Sequence, residues 1–180
     1  MWIENFYSKP WPHLVIDNFY DDETWDYVCN KEALFKKYKK NASLKTHGVA
    51  FQNIEDSILN SYFSKNLTID FLVDKFSNHR NFDELFPVVH LKVSRLPKLF
   101  GIHDEVASKV FSVITFIEPE HSVGTILFDE NKNLNKVITW KPNRAVIFAP
   151  IDNVSWHSYG NWDPSDRYTV DFFWERSIQY

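Results

Sequence analysis

One cysteine in 180 residues, Cys29, excludes an intramolecular disulfide and suits a reducing compartment. Only four glycines are present, with no Gly- or Ser-rich linker and no repeat, so nothing divides the chain into units. No stretch approaches the length of apolar sequence that a membrane-spanning helix requires. The opening MWIENFYSKP lacks a basic segment followed by an apolar run, so no signal peptide is expected. A positive charge excess is missing as well. The net charge is −4 and the pI is near 6, which gives no electrostatic footprint for a nucleic acid. The local exception is FKKYKK, with Lys36, Lys37, Lys39 and Lys40, which reads as a solvated helix end or a small basic patch for an acidic partner. These absences lead to the expectation of a soluble, intracellular (cytoplasmic) chain that binds neither nucleic acid nor membrane. Its oligomeric state stays open.

What is present is apolar and aromatic. At 44% hydrophobic and 17% aromatic residues the chain can enclose one sizeable core. HLVID (13–17) reads as a strand, and DNFYDDET supplies acidic helix-start chemistry before Trp25, Val28 and Cys29 at helical spacing. IEDSILNSYF and LTIDFLVDKF read as two more helices, or one broken near Lys65–Asn66. From Pro87 onward the pattern becomes short β-rich runs: VVHLKVSRL, VFSVITFI, GTILFD, LNKVITW, RAVIFA, VSWHSY and RYTVDFFW. No helical pattern intervenes, which excludes parallel βαβ units. The expectation is a single domain over 1–180, mainly β with N-terminal helices. Residues 1–86 would give mainly helical support and 87–180 a jelly-roll core.

Histidine is the informative residue type in the β half, where His90, His103, His121 and His157 occur. His103 begins HDE, and side chains at i and i+2 of a strand share a face. On a regular strand His103 and Glu105 therefore converge, and Asp104 joins them only through a bulge or an irregular loop. His157 in VSWHSYG offers a second imidazole, whereas His121, in EPEHSVGT, reads as an exposed turn residue. Two histidines and one carboxylate that leave positions open on the ion form the facial triad of non-haem Fe(II) oxygenases. A closed zinc site would need another Cys or His nearby, and Cys29 is far away in sequence. Ten residues after His157 come Arg167 and Thr169 in DRYTVDFFW, again on one strand face. A buried guanidinium needs an anion and its fork matches a carboxylate; an edge-strand arginine with a surface partner is the plainer alternative.

These residues meet a known pattern. The chain resembles the Fe(II)/2-oxoglutarate-dependent dioxygenases, particularly the prolyl-4-hydroxylase-like branch. KPWPHLVIDNFYDDETWDYV is similar to that family's opening segment, and IHDEVASKVFSVITFI to its His-x-Asp/Glu segment, a following lysine and a strand. GTILFD, NRAVIFAPIDNVSWHSYGN and DRYTVDFFW resemble its Gly-Thr strand, distal histidine and Arg-x-Ser/Thr strand. Gly101, Gly124 and Gly160 fall beside these motifs, as turns around a barrel mouth require. The resemblance implies a double-stranded β-helix, cupin-like, buttressed by helices. It implies Fe(II) held by His103, Glu105 and His157, with Arg167 and Thr169 on the distal carboxylate of 2-oxoglutarate. It further implies hydroxylation of an unactivated C–H bond, with a peptide or protein side chain, above all peptidyl proline, ahead of a small molecule as substrate.

Two departures stand out. Glu105 occupies a position where the family usually has aspartate, which also leaves room for a non-catalytic jelly-roll binding module that keeps the fold, with or without the metal. LKVSRLPKLFGIH lacks the tyrosine that many relatives place before the His-x-Asp motif; Arg95, Lys98 and Thr115 are candidate substitutes. Phe100, Tyr159 and Trp162 are candidates for stacking on a substrate ring or for rim packing.

Overall fold

Strands in both halves of the chain build two antiparallel sheets. The computed structural model describes residues 1–45, 48–76, 84–94, 98–161 and 166–177. In chain order the elements are β1 (Ile3–Tyr7), β2 (His13–Asp17), α1 (Asp22–Cys29) and α2 (Lys31–Lys37). A 3₁₀ turn (Lys39–Asn41) leads to β3 (Ala42–Lys45), β4 (Gly48–Phe51), α3 (Ser57–Asn66) and α4 (Ile69–Phe76). There follow β5 (Leu85–Ser94), β6 (Lys98–Leu99), β7 (Lys109–Glu118), β8 (Thr125–Phe128), β9 (Leu134–Ile138), β10 (Arg144–Phe148), β11 (His157–Asn161) and β12 (Arg167–Arg176). The larger sheet has the order β1-β2-β10-β7-β12-β5-β4-β3 and the smaller β6-β11-β8-β9. This is a jelly roll. Among the described residues no helix is long and apolar enough to cross a membrane.

Strand alternation explains how one sheet serves two cores. In β12, Tyr168, Val170, Phe172 and Trp174 join Leu91, Val113 and Ile147 against Leu59, Phe63, Leu72 and Phe76 of α3 and α4. Arg167, Thr169 and Asp171 alternate with them and line a cavity on the other side. On that side a smaller apolar cluster ties Val15, Phe116, Val146 and Phe148 to Leu127 and Ile138 of the second sheet, with Trp11 and Trp140. Gly124 sits so close to this sheet that an added Cβ would lie 1.7 Å from the carbonyl oxygen of Ile138. β12 is therefore a central strand buried on both faces, which disposes of the edge-strand reading of Arg167.

The seven β-rich runs from Pro87 onward correspond to β5 and β7–β12, and the two helices divided near Lys65–Asn66 are α3 and α4. β1, β3, β4 and β6 were not anticipated. All of β1 is exposed, so it carries no buried alternation, and the other three have four residues or fewer. FKKYKK is the solvated helix end expected: Lys36 and Lys37 close α2, where cations complement its dipole.

The helical layer is pinned by one carboxylate. Asp56 is buried, and its Oδ1 accepts from the backbone N–H of Ile58 (3.1 Å) and Leu59 (3.0 Å), capping α3. Its Oδ2 accepts from the Tyr27 and Tyr38 hydroxyls and from Lys37 Nζ at 3.0 Å. Burial alone would raise the Asp56 pKa; these donors together hold it below the usual carboxylate range. Asp56→Ala removes the cap and the acceptor shared by the Tyr27 and Tyr38 hydroxyls and Lys37, leaving the Tyr38 hydroxyl only the Glu55 carbonyl at 3.2 Å, so we expect a loss of about 3 kcal/mol in urea unfolding. Tyr38→Phe should cost less than half of that.

Candidate functional site

β11 and the irregular segment before β7 meet at one point. His103 and His157 form an isolated antiparallel bridge, each backbone N–H donating to the other's carbonyl at 3.0 Å. Their ring centroids are 4.3 Å apart. His103 Nδ1 lies 2.9 Å from the carbonyl of Gly101, and His157 Nδ1 lies 2.9 Å from that of Ser155. A carbonyl only accepts, so Nδ1 carries the proton in each ring and Nε2 presents its lone pair. Burial favours the neutral rings, moving the His103 pKa to about 4, with a further push from His157, and lowering that of His157 too.

The expected regular strand at His103 is absent; beyond the single bridge the chain is irregular until β7. The two acids nevertheless part. Asp104 Oδ2 accepts from the backbone N–H of Asn153 (2.7 Å), and Oδ1 accepts from Ser155 Oγ (3.1 Å) and from the N–H of Glu105 (2.9 Å). It braces the turn that leads into His157. Glu105 turns the other way, with Oε1 3.9 Å from His157 Nε2 and 3.1 Å from Ser112 Oγ, and Oε2 2.7 Å from Lys109 Nζ. Burial would raise its pKa, but the ammonium of Lys109 overrides this and keeps the carboxylate ionised.

The three groups edge a cavity of about 220 Å³ whose opposite wall is β12. There Arg167 is buried, its guanidinium 4.9 Å from the Trp140 ring and 4.8 Å from that of Tyr159. Its Nε has no hydrogen-bond partner, and no carboxylate lies within ion-pair distance among the described residues. Burial lowers its pKa to about 10, which still leaves it charged at neutral pH. Thr169 lies on the same face and pairs across the strands with Lys92 of β5. Lys92 Nζ is 2.6 Å from Asp171 Oδ2, while Asp171 Oδ1 has no partner.

Lys92, Ser112 and Asp171 belong to this cavity wall or its carboxylate and went unnoticed in the sequence; Lys109, the lysine that follows the His-x-Glu segment, was seen there without a role. A signal existed: Lys92 is the single Lys, Arg, Asp or Glu of β5, and Asp171 lies in the middle of β12 with apolar residues on both sides. Thr115 is corrected as a co-substrate candidate. It faces the helical side, donating to the Val170 carbonyl at 2.6 Å and lying 3.0 Å from the Tyr20 hydroxyl. Lys98 contributes backbone to β6, while Arg95 and Trp162 lie outside the described residues. Phe100 and Tyr159 stack on each other at 4.8 Å, and His121 is exposed.

No family model and no curated protein matches the sequence. Solved structures do match in shape. An oxidoreductase of the 2OG-Fe(II) oxygenase family from Burkholderia pseudomallei is 13% identical, over 92% of this chain and 84% of that one, with TM-score 0.68. A Pseudomonas putida prolyl-4-hydroxylase is 9% identical over 92% and 93% of the two chains, with TM-score 0.65. The chain has the fold of the 2OG-Fe(II) oxygenases. The viral collagen prolyl hydroxylase of Paramecium Bursaria Chlorella virus-1, solved as a 2OG complex, shares this oxygenase fold at 13% identity over 92% and 96%, with TM-score 0.65.

In donor type, the residues present fit the metal that the oxygenase fold implies. Two neutral imidazoles with free Nε2 lone pairs and an ionised carboxylate are a first-row transition-metal donor set. The Nδ1–H contacts to carbonyls are the outer partners that fix such a tautomer. Among the described residues no three His, Cys, Asp or Glu side chains form a converged cluster, and Glu105 is engaged by Lys109 and Ser112.

Proposed function

We propose that the chain is an Fe(II)- and 2-oxoglutarate-dependent oxygenase that hydroxylates an unactivated C–H bond of a peptide, with peptidyl proline the leading substrate. One observation carries the reading: a buried guanidinium with no carboxylate partner among the described residues lines one small cavity together with the His103, Glu105 and His157 group. In this reading His103, Glu105 and His157 hold the metal, and Arg167 with Thr169 holds the distal carboxylate of 2-oxoglutarate. The bound metal and co-substrate supply the oxidising chemistry by which dioxygen is activated and 2-oxoglutarate is decarboxylated. The protein's own residues position and enclose. With three protein ligands the metal would keep positions for co-substrate and dioxygen. Asp104 fixes the turn that carries His157, and the aromatic rings of Trp140 and Tyr159 shield the Arg167 end from water.

A second, larger groove of about 480 Å³ adjoins the cavity, sharing Lys92, Ser94, Phe100 and Tyr159 with it and running beside Val49, Ala50 and Gln52 of the β4 region. Its mixture of apolar walls and polar side chains suits an extended peptide. The deciding experiment is anaerobic titration with Fe(II) and 2-oxoglutarate. We expect a visible charge-transfer band only when both are present, and succinate on admission of oxygen. Neither a band nor thermal stabilisation by either ligand would instead support a binding module that keeps the fold without turnover.

A further inference from the structure

We infer that Lys109 is a positioning residue for the carboxylate of Glu105, and that this clamp lets a glutamate serve where the relatives the chain resembles carry aspartate. The inference rests on the reading of Glu105 as a metal ligand.

Three observations support it. The first is a β-bulge. Across β7 and β12, Phe111 pairs with Trp174 and Lys109 with Glu175, so two steps on β7 oppose one on β12, and Val110 is the additional residue. Neighbours Val110 and Phe111 are accordingly both fully buried in the helical-side core, where a regular strand would send one of them to the opposite face. In a regular strand Lys109 would have shared the face of Phe111 and Val113. The bulge turns it to the cavity face occupied by Ser112 and Ile114.

The second observation is the contact set itself. The Lys109–Glu105 pair is mostly buried, with side-chain exposures of 13% and 9%. Lys109 Nζ holds Oε2 at 2.7 Å, and Ser112 Oγ holds Oε1 at 3.1 Å. Oε1 is also the oxygen that faces His157 Nε2, at 3.9 Å, so Lys109 retains Oε2 while Ser112 steadies the oxygen turned toward that imidazole. The third observation is that the lysine stem is itself fixed, its Nζ 3.7 Å from the centroid of the buried Phe173 ring. A longer, more flexible acid has thereby lost the rotational freedom that separates it from aspartate. Hydrogen-bonded outer partners of a ligating carboxylate are worth roughly 10- to 100-fold in metal affinity.

The test uses the full chain with Mn(II), a redox-stable divalent ion, measured by calorimetry, and with Co(II), whose visible spectrum reports coordination. Lys109→Met should weaken Mn(II) binding roughly 10- to 100-fold and alter the Co(II) bands, and Lys109→Arg should recover most of both. Glu105→Asp keeps the charge but shortens the arm away from Lys109 and Ser112. It should bind more weakly than wild type, although aspartate is the family's usual residue. Should Lys109→Met fail to fold, the Lys109→Arg and Glu105→Asp pair decides. Mn(II) binding by the wild type with equal affinity and an unchanged Co(II) spectrum in Lys109→Met overturns the clamp alone. Tighter binding by Glu105→Asp does the same. Absence of Mn(II) binding by the wild type overturns the metal reading and the clamp with it.

Discussion

Arg167→Met should lose 2-oxoglutarate by about two orders of magnitude and yet melt no lower than the wild type. The first half follows from hydrogen-bond strength. A guanidinium forking onto a carboxylate makes two charge-assisted bonds, each worth about 1.5–3 kcal/mol, and a net loss of about 3 kcal/mol is about 100-fold in affinity. The second half follows from burial. Arg167 is enclosed, and among the described residues its Nε has no partner and its charge is offset by aromatic faces and the field of Asp171, which already pairs with Lys92. An unpaired buried cation is destabilising, and an apolar side chain of similar length removes that cost. Calorimetric titration with Mn(II) present, alongside a thermal melt, measures both halves. Unchanged 2-oxoglutarate affinity would reject Arg167 as the co-substrate anchor. A large fall in melting temperature would show that Arg167 is primarily a structural residue.

The second large effect concerns the metal. His157→Ala removes one of three proposed ligands, and by apportioning a typical metal-binding free energy among its ligands we expect a loss of about 3–4 kcal/mol, or several hundred-fold in Mn(II) affinity. Turnover should fall below detection. Asp104→Asn is the informative comparison because Asp104 adjoins Glu105 in the chain. Asp104 makes its hydrogen bonds to Asn153, Ser155 and the Glu105 N–H, so its amide variant should lower stability while keeping Mn(II) affinity within about threefold. Equal losses of metal affinity in Asp104→Asn and Glu105→Gln would contradict the division between the two acids. Neighbouring side chains with separate partners are expected to behave separately when each is altered.

That division shows how sequence and structure share the argument. Period-two alternation separates His103 and Glu105 from Asp104, but the physical cause is different, since the chain there is a single bridge followed by irregular backbone. Asp104 turns away because the 151–155 turn offers it an N–H and a hydroxyl. Those donors are some fifty residues distant in sequence, beyond the reach of local pattern. Lys109 illustrates the same limit. Its charge and position are plain in EVASKVFS, yet its direction depends on a bulge, and a bulge is a relation between two strands.

What the amino-acid sequence by itself determined is what depends on local periodicity and residue chemistry. It marked the seven β-rich runs after Pro87, α3 and α4, the exclusion of an intramolecular disulfide, and the ordered set of His103, Glu105, His157, Arg167 and Thr169 as candidates. The jelly-roll expectation followed from the same runs and agrees with the architecture. Tertiary structure alone decided which charges share a cavity: that Lys92 and Asp171 pair on its wall, that Arg167 has no carboxylate partner among the described residues, and that Glu105 is held by Lys109 and Ser112. The reason is physical. Alternation assigns a side chain to a face, but long-range strand pairing determines what that face meets, and the electrostatics of a buried site depend on what is met.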